Sequence, residues 1–188
     1  MESKIIIITI LISGMSIATA TDFKTGKIPN LLTVPMMLAG LIHSFLYMGV
    51  KGLGFSSCGL AVGIGIFIVP YCFGGMGGGD VKLMGAIGSL IGVKGVLITG
   101  SIAVILGFVY AIFILVLQQE YTRTIIHRLI TIIKSLIYTK QIYIPSTDKK
   151  PPTIKFALPM AVGAMCYVYM MLAESKIIQN MLGIQFTL

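Results

Sequence analysis

The sequence predicts an all-α membrane protein: a polytopic bundle of six transmembrane helices with a further amphipathic helix on the cytoplasmic surface. Three observations predict it. Of 188 residues, 56% are hydrophobic and 11% charged, with a mean hydropathy of +0.99, whereas soluble domains carry roughly a quarter charged residues. Apolar runs recur at or near the ~20 residues that a bilayer core requires. Basic residues lie between those runs in a pattern that orients a polytopic chain.

The runs cover residues 5–20, 31–48, 53–73, 81–93, 96–117 and 154–173. The fourth is short, and whether it crosses decides the side of everything after it. If all six cross, one face collects Lys24, Lys27, Lys82 and the basic residues from Arg123 to Lys155. The other face then keeps Lys4, Lys51, Lys94 and Lys176. The richer face is cytoplasmic by the positive-inside rule, so both termini are expected outside. A re-entrant fourth segment would send the basic stretch after Leu117 to the wrong side. The N-terminal run, ending in Ala18-Thr19-Ala20, also has the look of a secretory signal. Its removal would leave five spans with the same conflict, so it is expected to stay as the first helix.

Between Gln118 and Lys155 the stretch TRTIIHRLITIIKSLIY repeats isoleucine and leucine at near-helical spacing, with Arg123, His127, Arg128 and Lys134 between them. This is the pattern of an interfacial helix resting on anionic lipid headgroups. The following IPSTDKKPP, with three prolines, reads as a loop. No polar stretch is long enough for a separate soluble domain, so residues 1–188 are expected to form one. The net charge of +8 is explained by topology, and nucleic acid is not an expected partner. Cys58, Cys72 and Cys166 stand singly in apolar surroundings, which fits helix packing better than zinc or redox chemistry. His43 and His127 lack paired ligand spacing, and neither metal nor cofactor is expected.

Six residues are acidic. Glu2 and Glu174 belong to the outer face and Asp148 to the loop, leaving Asp22, Asp80 and Glu120 near the cytoplasmic surface. Asp22 closes the first span and Asp80 opens the fourth, so six crossings bring them to similar depth on one face. Two carboxyls in a partly desolvated site tend to share a proton and titrate as a pair. Such a dyad suits aspartic peptide hydrolysis: one member takes a proton from water and the other donates to the developing oxyanion. A helix cap or a solvated interface position is the plainer reading of each aspartate alone. Gly74, Gly75, Gly77, Gly78 and Gly79 precede Asp80, and such a chain lets an extended peptide approach closely. A phosphate loop would need a Gly-Lys-Ser/Thr ending, which is missing. Tight helix packing is the other use of glycine, expected of Gly59, Gly63 and Gly65.

Gly77-Gly78-Gly79-Asp80 fits the GxGD signature of membrane-embedded aspartic proteases, and the following VKLMGAIG resembles the continuation found in bacterial type IV prepilin peptidases. DFKTGKIPN, residues 22–30, resembles that family's other aspartate segment, and IKFALPMAVGAM is a weaker echo of its last helix. The resemblance implies that Asp22 and Asp80 are the catalytic pair, with Gly77, Gly78 and Gly79 as the substrate-approach loop. It implies cleavage of the basic leader of a prepilin-like precursor at the cytoplasmic face of the inner (plasma) membrane. Larger members carry a cysteine-bearing, zinc-binding cytoplasmic region and also methylate the new N-terminus. Here the loop after Asp22 is short and cysteine-free, so peptidase activity without methylation is expected, as in the Flp-type branch or the related preflagellin peptidases. Lys82 reads mainly as an inside-face anchor. Glu120 reads as a solvated interfacial residue or an attractor of the basic leader. Two other classes stay in view. A small proton- or ion-coupled transporter would place carboxyls near mid-span. In a structural subunit of a membrane complex, loss of either aspartate would merely destabilise.

Overall fold

In the computed structural model, residues 2–72, 76–117 and 156–182 are described, and every regular element among them is an α-helix. These are α1 (Glu2–Thr25), α2 (Asn30–Cys72), α3 (Gly78–Leu117) and α4 (Ala157–Leu182). The first three are long and apolar enough to cross a membrane, and α4 carries a shorter apolar stretch, Ala157–Ala173. The amphipathic helix expected after Leu117 and Glu120 itself lie outside the described residues. The chain divides into two compact units, residues 1–106 with 155–188 and residues 107–154. The second unit is described only as the continuation of α3 to Leu117.

Two of the helices double back on themselves. At Gly49 the backbone takes φ 59° and ψ −143°, and at Gly92 φ 72° and ψ −175°. Both lie in a region that glycine enters freely and L-residues avoid. A methyl group added at Gly52 would collide with the Ser44 carbonyl oxygen, although residues eight apart in a straight helix are separated by about 12 Å. A methyl at Gly100 would lie 3.5 Å from the Met84 side chain, against about 24 Å between Cα positions in an unbroken helix. Each glycine therefore reverses the chain, and the described residues hold six helical segments. The expected runs 31–48 and 53–73 correspond to the two limbs of α2, described as far as Cys72, and 81–93 and 96–117 to those of α3.

With no hydrophobic drive between helices in lipid, close backbone approach supplies the packing. Gly59 abuts Gly88 backbone to backbone, and Gly63 faces the Met84 carbonyl. Next to the Gly59 contact, toward Gly92, the Ser56 hydroxyl donates to the Ser89 carbonyl at 2.6 Å. The second limb of α2 thus runs antiparallel to the first limb of α3 along a seam of small residues. Gly163 sets α4 against the backbone of Thr99, and Gly14 sets α1 against Met36. Gly65 meets nothing within 4 Å, so its expected packing role does not hold. Nor do the three cysteines pack inward, since all are exposed on helix surfaces.

The short first limb of α3 is the centre of the unit. Leu83, Met84, Ala86, Ile87 and Leu90 are all buried. Its 14 residues between Gly78 and Gly92 span only about 21 Å. A helix enclosed by other helices does not have to match the thickness of the hydrocarbon. The same enclosure leaves its first turn, with Asp80, facing the loop between α1 and α2.

Candidate active site

Asp22 lies in the last turn of α1. That helix ends on Gly26, with φ +63°, whose N–H donates to the Asp22 carbonyl at 2.9 Å. This is a left-handed C-terminal cap with glycine just past the helix end. Thr25 reinforces the turn, its hydroxyl lying 2.8 Å from the Thr21 carbonyl and 3.1 Å from that of Lys27. The cap turns the chain sharply enough to lay Lys27 and Ile28 across the entrance of α3.

Asp80 lies in the first turn of α3, where its carboxylate Oδ2 accepts the Gly77 N–H at 3.2 Å, while its own N–H donates to the Gly77 carbonyl at 3.1 Å. The contact is the backward half of a capping box, in which the third helical residue satisfies the cap's N–H. The plain capping role is therefore real. It engages one carboxyl oxygen and leaves the group at the edge of a cavity.

That cavity, about 250 Å³, is lined by Asp22, Gly26, Lys27, Ile28, Gly77, Gly78, Gly79 and Asp80. Two aspartates from opposite ends of a 58-residue interval thus share one enclosure, each less than a tenth exposed. They are near enough for the charge of Asp22 to act on Asp80. Burying two carboxyls around one cavity opposes stability, and perturbed titratable groups of this kind cluster at functional sites.

A third segment reaches Asp22 from far along the chain. The Ala157 N–H at the start of α4 donates to Asp22 Oδ2 at 3.4 Å, in a buried contact. The first N–H groups of a helix lack partners within it. Asp22 takes up one of these, and Pro159 in the same turn has no N–H to satisfy. Sequence reasoning saw only a faint pattern in this last helix, because a backbone donor carries no residue-type signal.

The glycines before Asp80 do more than one thing. A methyl at Gly79 would sit 3.1 Å from the Ile28 Cβ and 3.3 Å from its carbonyl oxygen, and one at Gly77 would sit 3.1 Å from Asp80 Oδ2. Gly78 faces the Tyr71 ring. Gly79 is thus the point where the first loop closes on α3, which brings the two aspartates within one cavity. Lys82 is exposed, and its Nζ donates to Asn30 Oδ1 at 2.9 Å, tying α3 to the start of α2. Among the described residues, no three His, Cys, Asp or Glu side chains gather as metal ligands do.

Helices long and apolar enough to cross a membrane thus bring two buried carboxyls, Asp22 and Asp80, to the lining of one cavity. A sequence profile described as the type IV leader peptidase family matches residues 9–112, an interval that contains both aspartates and the glycines. The chain belongs to that family. A curated relative, the prepilin leader peptidase/N-methyltransferase of Xanthomonas campestris pv. campestris, is 34% identical over 102 residues. The match covers 47% of this chain and 34% of the relative, so it spans about a third of that protein's length. No solved structure matches the chain.

Proposed function

We propose that this protein is a membrane aspartic endopeptidase that removes the leader from type IV pilin-like precursors, with Asp22 and Asp80 as its catalytic pair. The observation that carries the reading is the shared cavity, in which two buried carboxyls from separate helices sit beside glycine backbone. Family membership and the name of the curated relative support the substrate class.

In the reaction, one carboxylate of the singly protonated pair takes a proton from water as the water oxygen bonds to the scissile carbonyl carbon. The other carboxyl donates its proton to the developing oxyanion. Collapse of the tetrahedral intermediate breaks the C–N bond, and the amine leaves with a proton from the pair. Gly77, Gly78 and Gly79 offer backbone without side chains along one wall, where an extended substrate strand passes. The Ala157 N–H fixes the orientation of Asp22, and the Gly77 N–H that of Asp80. Lys82 acts through Asn30 as a brace between the two aspartate segments.

The chain crosses the inner membrane six times, with the dyad at the cytoplasmic face and both termini outside. The reversals at Gly49 and Gly92 and the basic residues Lys24, Lys27 and Lys82 support that arrangement. The test is leader cleavage on co-expression with a pilin-like precursor. Wild type shortens the precursor, whereas Asp22→Asn and Asp80→Asn insert normally and leave it full length.

A further inference from the structure

The three glycines before Asp80 open the cavity wall to a peptide backbone, and for the same reason they offer it no side chain to lie against. What stands behind each of them differs. A methyl group at Gly77 would meet Asp80 Oδ2 at 3.1 Å and one at Gly79 the Ile28 Cβ at 3.1 Å, and both of these neighbours are buried. At Gly78 the neighbour is Tyr71, in the last turn of α2. Its ring carbon Cε2 would lie 3.3 Å from such a methyl, and its Cζ and hydroxyl oxygen 3.7 Å. Unlike the other two neighbours, Tyr71 is 48% exposed.

The hydroxyl-bearing edge of the ring therefore rests on the backbone of the wall, while much of the side chain remains free beside it. The plainer use of an exposed tyrosine in a membrane helix is anchorage at the interface. Tyr169 of α4, 74% exposed, fits that use. Tyr71 differs in where its ring lies, which is against a residue that lines the cavity of the aspartates. An aromatic ring of this kind is large and amphipathic, with only two side-chain torsions to fix, so it holds a partner at small entropic cost.

Resting on the proteolytic reading above, we infer that Tyr71 is a substrate-binding residue, its ring continuing the glycine wall and packing on the extended strand that passes Gly77, Gly78 and Gly79. The glycines give the strand access, and the tyrosine gives it a surface to pack on. Gly78 carries a second duty in this arrangement, since a side chain there would push the ring off the wall. The contribution of Tyr71 is to binding, so its loss weakens the complex and leaves the chemical step intact.

The test is the kinetics of leader cleavage by the purified protein in detergent, with a pilin-like precursor as substrate. Tyr71→Ala raises KM about three- to tenfold, the scale of one aromatic contact, with kcat within twofold of wild type. Tyr71→Phe keeps the ring and stays within twofold of wild type in KM. Tyr169→Ala, away from the cavity, leaves KM unchanged. A KM within twofold of wild type in Tyr71→Ala, or an equal rise in Tyr71→Phe, overturns the inference. So does a loss confined to kcat or to the thermal midpoint, which marks a structural or anchoring role. An independent measurement places a benzophenone side chain at residue 71 in the Asp80→Asn background, where precursor stays uncleaved. Adduct with the precursor is expected, and adduct with lipid alone overturns the inference. Wild-type protein that cleaves no precursor contradicts the proteolytic reading, whereas the crosslink reports on residue 71 by itself.

Discussion

Asp22 is held by a backbone N–H that no side-chain pattern encodes, which makes a substitution at Ala157 unusually informative. Ala157→Pro removes the donor while suiting the first helical position, where proline is well tolerated. The expected outcome is a roughly tenfold loss of leader cleavage with a thermal midpoint in detergent close to wild type, of the order expected for one hydrogen bond to a charged group. Equal loss of stability and activity would mean that the contact serves only the fold. Gly79→Leu is expected to displace Ile28 and lower cleavage more than tenfold, with membrane insertion measured by fractionation unaffected. The Lys82–Asn30 hydrogen bond is exposed at both ends, so Lys82→Ala should cost less than about 1 kcal/mol. That Asp22, Asp80 and the glycines beside Asp80 belong together was legible in the sequence from residue type and spacing, and they do line one cavity. The partners of Asp22 and Gly79 were not legible, since both contacts involve backbone from distant segments.

At the scale of elements, apolar runs of near-spanning length marked out the helices, and their order survives in the fold. The breaks between limbs were legible as well, flanked by Lys51 and Lys94, whereas nothing in the pattern singled out Gly49 and Gly92 as the residues that reverse the chain. Gly49 and Gly92 share this role but differ in surroundings. A methyl at Gly49 meets nothing within 4 Å, whereas one at Gly92 runs into the Phe55 ring. Gly49→Ala is therefore expected to destabilise by about 1 kcal/mol from backbone strain alone. Gly92→Ala adds an overpacking cost of roughly 1–3 kcal/mol, which thermal unfolding in detergent would resolve. A comparable loss in the two variants would show that the Phe55 ring moves aside without cost. Gly65, with the same residue type and a nearby position, has no such contact. The sequence pattern of small residues marked a packing helix without showing which face packs.

For the whole molecule, the proposed six-crossing arrangement rests on the charge distribution of the sequence, and the reversals at Gly49 and Gly92 are compatible with it. In a background lacking the three native cysteines, a cysteine at Lys27 is expected to be labelled only from the cytoplasm and one at Lys51 only from outside. Labelling of both from one side would overturn the crossing of α2. Convergence of two distant aspartates was legible only as a shared depth, since parity fixes a side of the membrane and not a position within it. Their common cavity required the cap at Gly26, the closure of Ile28 on Gly79 and the buried first limb of α3. The most direct test of the central claim is the length of a pilin-like precursor purified after co-expression with wild type, Asp22→Asn or Asp80→Asn. Loss of the leader with wild type alone is the predicted result, and a shortened precursor with either variant would contradict the dyad.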